Sequence, residues 1–336
     1  MRRSLPFCSE ENRFRRATGL CPVYVVALVA TVLAMLLGGC DPDVADIPDH
    51  TPETLEDLPL NTLYVGSIED GYIWSIDLET AVERRLVSGS DPTISSEGTL
   101  VCAHSVGLVE YVPGTPGYRV IVPHRLGQPF DEVYNDAFHL PRVSPDGRFV
   151  CYVGDFHNVF VVDRQSGALI ASWVSGDNFT GYDRPTWTPE NRIVMVGVEE
   201  NRGIHITDTA FSTLELLDPW LTEDVADPAV SPDGKSILFT IGESIYRLPT
   251  DGSGWFEEID SFWPWKGMPT WSERGDLIAW IDATYDYYGE PYFHSDRRGY
   301  AVTVYDPHTD RRREYRLSRD GDYLHPYGFT PQIAVR

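Results

Sequence analysis

Asp91, Arg184, Asp227 and His325 each stand immediately before a proline, and His139 stands two positions before another. Two carboxylates, two imidazoles and a guanidinium are groups that ligate a divalent cation or anchor a polar ligand. His325, Asp227 and Asp91 together would make a three-ligand set for one metal ion. Leu140 and Met268 hold the matching positions before Pro141 and Pro269 and interrupt the polar series. The bland alternative is that these groups hold water and cap strands. No cofactor is therefore expected, with Ca²⁺ or another divalent ion kept as the alternative. No catalytic residue is assigned either. The chain has no Gly-x-Ser-x-Gly elbow, no His-Glu-x-x-His and no Cys-x-x-Cys pair. Gly234-Lys235-Ser236 lacks the first glycine of a phosphate loop, because Ala229 occupies that position.

A second set of residues suits recognition rather than catalysis. The stretch from Asp282 to Tyr300 carries Tyr285, Asp286, Tyr287, Tyr288 and Glu290, with Trp255, Phe256, Phe262, Trp263 and Trp265 shortly before it. Tyr and Trp give large amphipathic contact area at low entropic cost, as binding patches do. Trp271 and Trp280 are expected in the core, and Tyr285, Tyr287 and Tyr288 at the surface.

These residues are placed by an internal repeat. Five segments align: Pro92-Thr-Ile-Ser-Ser-Glu-Gly98, Pro141-Arg-Val-Ser-Pro-Asp-Gly147, Pro185-Thr-Trp-Thr-Pro-Glu-Asn191, Pro228-Ala-Val-Ser-Pro-Asp-Gly234 and Pro269-Thr-Trp-Ser-Glu-Arg-Gly275. A partial sixth begins at Pro326. In each unit a short strand enters a turn where Pro presets φ and Gly or Asn accepts a positive one. An apolar strand follows, such as Phe149–Val153, then a third ending in Asp, such as Val159–Asp163, then a more polar fourth. A four-stranded sheet of this kind cannot bury both faces alone, so copies must stack around an axis.

The start motif resembles the TolB-type propeller repeat, Pro-x-Trp-Ser-Pro-Asp-Gly, across residues 63–336. The resemblance and the count imply an all-β, six-bladed β-propeller, with seven blades as the alternative. Residues 63–90 lack a start motif and the C-terminal fragment lacks the rest of a unit. The two are expected to form one blade that closes the ring and removes exposed sheet edges. Asp91, His139, Arg184, Asp227 and His325 then fall at one mouth of the central channel, and 282–300 becomes the long loop of blade five. Cys102 and Cys151, each ten residues after a start proline, occupy one slot in neighbouring blades. They are expected to be buried free thiols, too far apart to bond.

The N-terminus reads as an address. Five arginines precede an uncharged run from Gly19 that ends Leu37-Gly38-Gly39-Cys40. This resembles the lipobox of bacterial lipoproteins, which implies cleavage of a signal peptide, 1–39, and lipidation of Cys40; a plain transmembrane anchor is the alternative. Residues 40–62 are expected to form an acidic, Pro-rich tether. Between 41 and 62 there are seven acids, four prolines and no Lys or Arg. That span is too short for the α/β domain preceding the propeller in TolB itself.

The chain has 336 residues, 27 Lys plus Arg, 51 Asp plus Glu and a formal charge of −24. Loss of 1–39 removes five Arg and two Glu and takes it to −27. Such a balance excludes nucleic acid as an electrostatic partner, which needs clustered cations. The expectation is a lipid-anchored propeller of the bacterial cell envelope, a non-catalytic binding or scaffold module for a protein or glycan, touching the membrane through its lipid. The alternative is a metal-assisted lyase or hydrolase acting on a carbohydrate or lactone at the channel mouth.

Overall fold

The computed structural model describes residues 53–334 outside 57, 60, 68–70, 125–137, 155–157, 175–181, 198–201, 218–224, 254, 262–264, 284–299 and 317–328. Among these residues the secondary structure is entirely β. In chain order the closing blade supplies β1 (Thr62–Ser67), β2 (Tyr72–Asp77) and β3 (Glu83–Ser88). Blade one is β4 (Ser90–Ile94), β5 (Leu100–His104), β6 (Gly107–Tyr111) and β7 (Arg119–Pro123). Blade two is β8 (His139–Val143), β9 (Phe149–Val153), β10 (Val159–Asp163) and β11 (Leu169–Trp173). Blade three is β12 (Tyr182–Trp187), β13 (Ile193–Gly197), β14 (Gly203–Thr207) and β15 (Leu214–Leu216). Blade four is β16 (Val225–Val230), β17 (Ser236–Ile241), β18 (Ser244–Pro249) and β19 (Glu257–Asp260). Blade five is β20 (Trp265–Trp271), β21 (Ile278–Ala283), β22 (Tyr300–Asp306) and β23 (Arg311–Arg316), and β24 (Phe329–Ala334) ends the chain.

Six antiparallel four-stranded sheets result, and their inner strands neighbour one another around a closed ring. The sixth sheet has the order β24-β1-β2-β3, with Leu63 opposite Ile333 and Val65 opposite Pro331. The two termini therefore close the ring in one blade, and the six-bladed count holds. Each inter-blade space is packed with alternate residues of facing sheets, as where Val194, Ile204, Ile237, Phe239 and Leu248 meet between blades three and four.

The repeat's wording has local physical causes. In the Ser-Pro-Asp-Gly turns, Ser144 Oγ donates to Asp146 Oδ1 at 2.6 Å and accepts from Phe149 N at 2.9 Å. Ser231 does the same with Asp233 (2.7 Å) and Ser236 N (3.0 Å). Gly147 and Gly234 hold φ of 73° and 70°, and Asn191 substitutes at 59°. Blades one and five lack the proline yet form the same turn, because Gly98 N and Gly275 N still reach Ser95 O and Ser272 O at 2.9 Å. The motif tryptophans are staples between blades: Trp187 Nε1 donates to Arg142 O (2.9 Å) and Trp271 Nε1 to Ala229 O (3.0 Å), each in the preceding blade. Trp280 is fully buried.

Part of the acid surplus caps turns. Asp77, Asp163, Asp208 and Asp306 each end a third strand or directly follow one and accept backbone N–H groups of the next turn. Hydrogen bonds from Thr80, Ser166, Ser212 and Thr309 respectively hold these carboxyls below their ordinary range.

Part of the acidic stretch before β1 packs on the propeller. Leu55 is 1% exposed and packs with Ile73, Val87, Leu100 and Tyr111. Its carbonyl accepts from Gly114 N at 2.8 Å, and Glu53 Oε2 accepts from Ser88 N and Oγ at 2.7 and 3.0 Å. Composition alone hid this, because a single leucine suffices when a preformed groove receives it. Leu55→Ala is expected to cost about 2–3 kcal/mol, read as a lower melting temperature and faster proteolysis ahead of residue 62.

Candidate functional site

Every described residue that precedes a start proline has left-handed backbone: φ is 50° at Asp91, 49° at Leu140, 53° at Arg184, 54° at Asp227 and 52° at Met268. At each of these positions the pairing of the innermost strand slips, as between Ser90 and Thr93 or Ala226 and Ala229. A bulge re-aims the side chain it carries. Non-glycine residues hold such φ values at a cost of about 1–3 kcal/mol each, sustained only where surroundings enforce it. Here the bulge turns Leu140, Arg184, Asp227 and Met268 towards one small void of about 20 Å³, room for a single water.

Three of the four, Arg184, Asp227 and Met268, are bonded to one another. Arg184 Nη1 forms an ion pair with Asp227 Oδ1. Asp227 Oδ2 accepts from Met268 N at 3.1 Å and from Thr240 Oγ1 at 3.4 Å. Asp227 is 7% exposed, and its carboxylate joins blades three, four and five. Asp91 is also buried, whereas His139, one step earlier on β8, is exposed. His325 lies outside the described residues. The structure thus brings Arg184 and Asp227 together and leaves His139 apart from them. No group of three or more His, Cys, Asp or Glu side chains converges among the described residues. Those residues do not supply a metal's ligand set.

Sequence reasoning missed Arg142. It lines the mouth-side void and also a second cavity of about 180 Å³ that opens towards the Ser-Pro-Asp-Gly turns. Burial pulls its guanidinium below the ordinary value, while the charges of Asp91 and Asp227 pull the other way. The signal was in the repeat: the slot after the start proline holds Thr93, Arg142, Thr186, Ala229 and Thr270, so one cation breaks a small, neutral series.

Residues Tyr285, Asp286, Tyr287, Tyr288 and Glu290 of the blade-five loop lie outside the described residues, as does Cys40. The strands that carry the loop end at the mouth face, where Trp265, Ala283 and Tyr300 align across the sheet. Nearby, the buried Lys266 Nζ lies 3.6 Å from Asp282 and 3.7 Å from Asp260, and Arg312 reaches Asp260 at 2.7 Å. Burial raises the Asp282 carboxyl despite the Thr303 hydroxyl and Lys266. Trp255 is 90% exposed on the β18–β19 connection at the turn face, while Phe256 packs edge-on against Tyr246 at 5.4 Å. Cys102 and Cys151 are free and buried, and burial pushes both thiols up.

No family profile and no curated protein matches the sequence. Solved structures do match in shape. A protein assigned as TolB from Agrobacterium tumefaciens aligns with TM-score 0.53 and 16% identity over 77% of this chain and 89% of that one. A chain of a nidogen–laminin complex aligns with TM-score 0.54 and 10% identity, over 81% and 98%. An oligogalacturonate lyase in complex with manganese aligns with TM-score 0.50 and 12% identity, over 78% and 75%. At these identities the likeness is one of fold, a six-bladed TolB-like propeller.

Proposed function

We propose that the protein is a propeller of the bacterial cell envelope, anchored through a lipid on Cys40, that acts as a non-catalytic binding or scaffold module for a protein or glycan partner. The observation that carries this reading is the bonding of Asp227. The acid best placed for mouth chemistry is held by a guanidinium, a backbone N–H and a hydroxyl from three blades. A carboxylate so engaged acts as a clamp on the ring, which suits a rigid platform more than a reaction centre. The partner surface is assigned to the blade-five loop, Tyr285, Asp286, Tyr287, Tyr288 and Glu290, with the ion cluster around Lys266 fixing the strand ends beneath it.

The test is capture of native partners from detergent extracts by wild type and by a Tyr287→Ala, Tyr288→Ala variant. Loss of at least ten-fold of a co-purifying partner, with an unchanged melting temperature, is expected. Full retention of every partner would remove the contact from this loop.

The competing reading is a metal-assisted lyase or hydrolase acting on a carbohydrate or lactone at the channel mouth. Its support is the likeness in fold to a manganese-bound oligogalacturonate lyase. The described mouth residues do not add to it, since Asp227 is already engaged and His139 faces solvent.

A further inference from the structure

The chain ahead of β1 lies in a groove between the closing blade and blade one. Glu53 O accepts from Gly117 N at 2.9 Å and Leu55 O from Gly114 N at 2.8 Å, while Thr54 bridges Pro116. Leu55 packs among Ile73, Val87, Leu100, Val109 and Tyr111. The Glu53 carboxylate ends a relay of hydrogen bonds. Val106 N donates to His104 Nδ1 at 3.2 Å, so that nitrogen carries no proton and the ring hydrogen sits on Nε2. Nε2 lies 3.1 Å from Ser88 Oγ and donates to it. The Ser88 hydroxyl is thereby left to donate to Glu53 Oε2 at 3.0 Å, beside the Ser88 N–H at 2.7 Å.

We propose that residues 53–55 are a latch that docks the tether on the ring at neutral pH and lets go in mild acid, with His104 as the sensor. An imidazolium carries hydrogens on both nitrogens. Its Nδ1–H would face the Val106 N–H, donor against donor, and the ring must turn from that contact. Ser88 then loses the donor that keeps its own hydrogen on Glu53. Around His104 among the described residues stand Ser88 of β3, Glu53 of the tether, Tyr111 of β6, which shares Ser88 with it, and Tyr118, whose ring centre is 4.8 Å away. Burial holds the imidazole below its ordinary value against the pull of the Glu53 carboxylate. A lowered folded-state value means docking is complete above the ordinary histidine range and weakens as pH falls through the lowered one. The consequence for the leash rests on the lipid proposed for Cys40; the latch itself does not. With the tether docked, 12 residues (41–52) separate Cys40 from Glu53; freed up to β1, 21 residues (41–61) do. At about 3.4 Å per extended residue the greatest reach grows from roughly 40 to roughly 70 Å.

The experiment is hydrogen–deuterium exchange of the full-length protein in detergent at pH 7 and pH 5, normalised to intrinsic exchange rates. The readout is segment 112–118, whose Gly114 and Gly117 amides donate to the tether. Wild type is expected to lose at least three-fold of its protection there at pH 5. His104→Gln keeps a donor and an acceptor without titrating, and should show no such loss. Ser88→Ala should lower protection by a similar factor at both pH values, with melting curves to show that the variants fold. Equal protection of wild type at the two pH values, a wild-type pH response in His104→Gln, or undiminished protection in Ser88→Ala would overturn the latch. The mass of the N-terminal peptide reads the lipid separately: an unacylated Cys40 would withdraw the change in reach and leave the latch to the exchange result.

Discussion

Arg164→Ala is expected to destabilise the protein by about 2–3 kcal/mol, because it removes one of the two cations that a buried carboxylate pairs with. That carboxylate is Glu110 on β6, 3% exposed. Its Oε1 accepts from Arg164 Nε at 2.7 Å and from Thr99 Oγ1 at 3.2 Å, and its Oε2 from Arg119 Nε at 3.0 Å. Arg164 follows β10 in the next blade and also donates to Thr99 Oγ1 at 2.7 Å and to Gly147 O at 3.0 Å. The network therefore welds blade one to blade two. For a chain this long the loss corresponds to a melting temperature lower by about 3–6 °C. An Arg164→Met, Glu110→Leu double variant should recover most of it, because Arg119 is largely able to return to solvent. Burial alone would raise the Glu110 carboxyl, but hydrogen bonds from Arg119 and Arg164 outweigh it and hold it below the ordinary value. A depressed folded-state value means the contribution is complete above the ordinary carboxylate range and is lost as pH falls through the lowered one. Wild type should thus lose stability relative to the double variant only in acid. A difference that stays flat down to the acid transition would contradict the pairing.

Asp227→Ala is expected to cost about 2–4 kcal/mol, since it strands Met268 N and removes the Asp227 carboxylate from the partly buried Arg184 guanidinium. Asp227→Asn keeps an acceptor for Met268 N and for Thr240 but loses the charge, so it should fall midway. Thermal melts of the two variants distinguish a clamp from a ligand or general base. For a clamp, stability tracks the number of retained hydrogen bonds. A ligand or base would show little loss of stability in the asparagine variant and a large loss of metal or turnover.

The six blades, the turns and the closure by both termini were legible because each rests on a demand made within a few residues. Gly147 must accept a positive φ, Ser144 must reach Phe149 N, and Leu63 must find an edge partner in the last strand. The site was less legible. Glu110 and Arg164 lie 54 positions apart and meet only because two blades stack. The left-handed φ before each described start proline falls on Asp, Leu, Arg, Asp and Met; aspartate tolerates it, but Leu, Arg and Met do not announce it, because the ring imposes the bulge there and the residue does not. Arg184 and Asp227 could be placed at one mouth from the repeat phase, but that they neutralise each other depends on side-chain reach across blades. Leu55 escaped notice because its groove is built by residues of two blades that follow it in the chain.

The most direct measurement is the metal content of the purified mature chain, with melting temperature recorded before and after chelator. The engaged state of Asp227 predicts no stoichiometric divalent ion and no shift on chelation. A bound ion near one equivalent, whose removal lowers the melting temperature, would contradict the non-catalytic reading and return the channel mouth to metal-assisted chemistry.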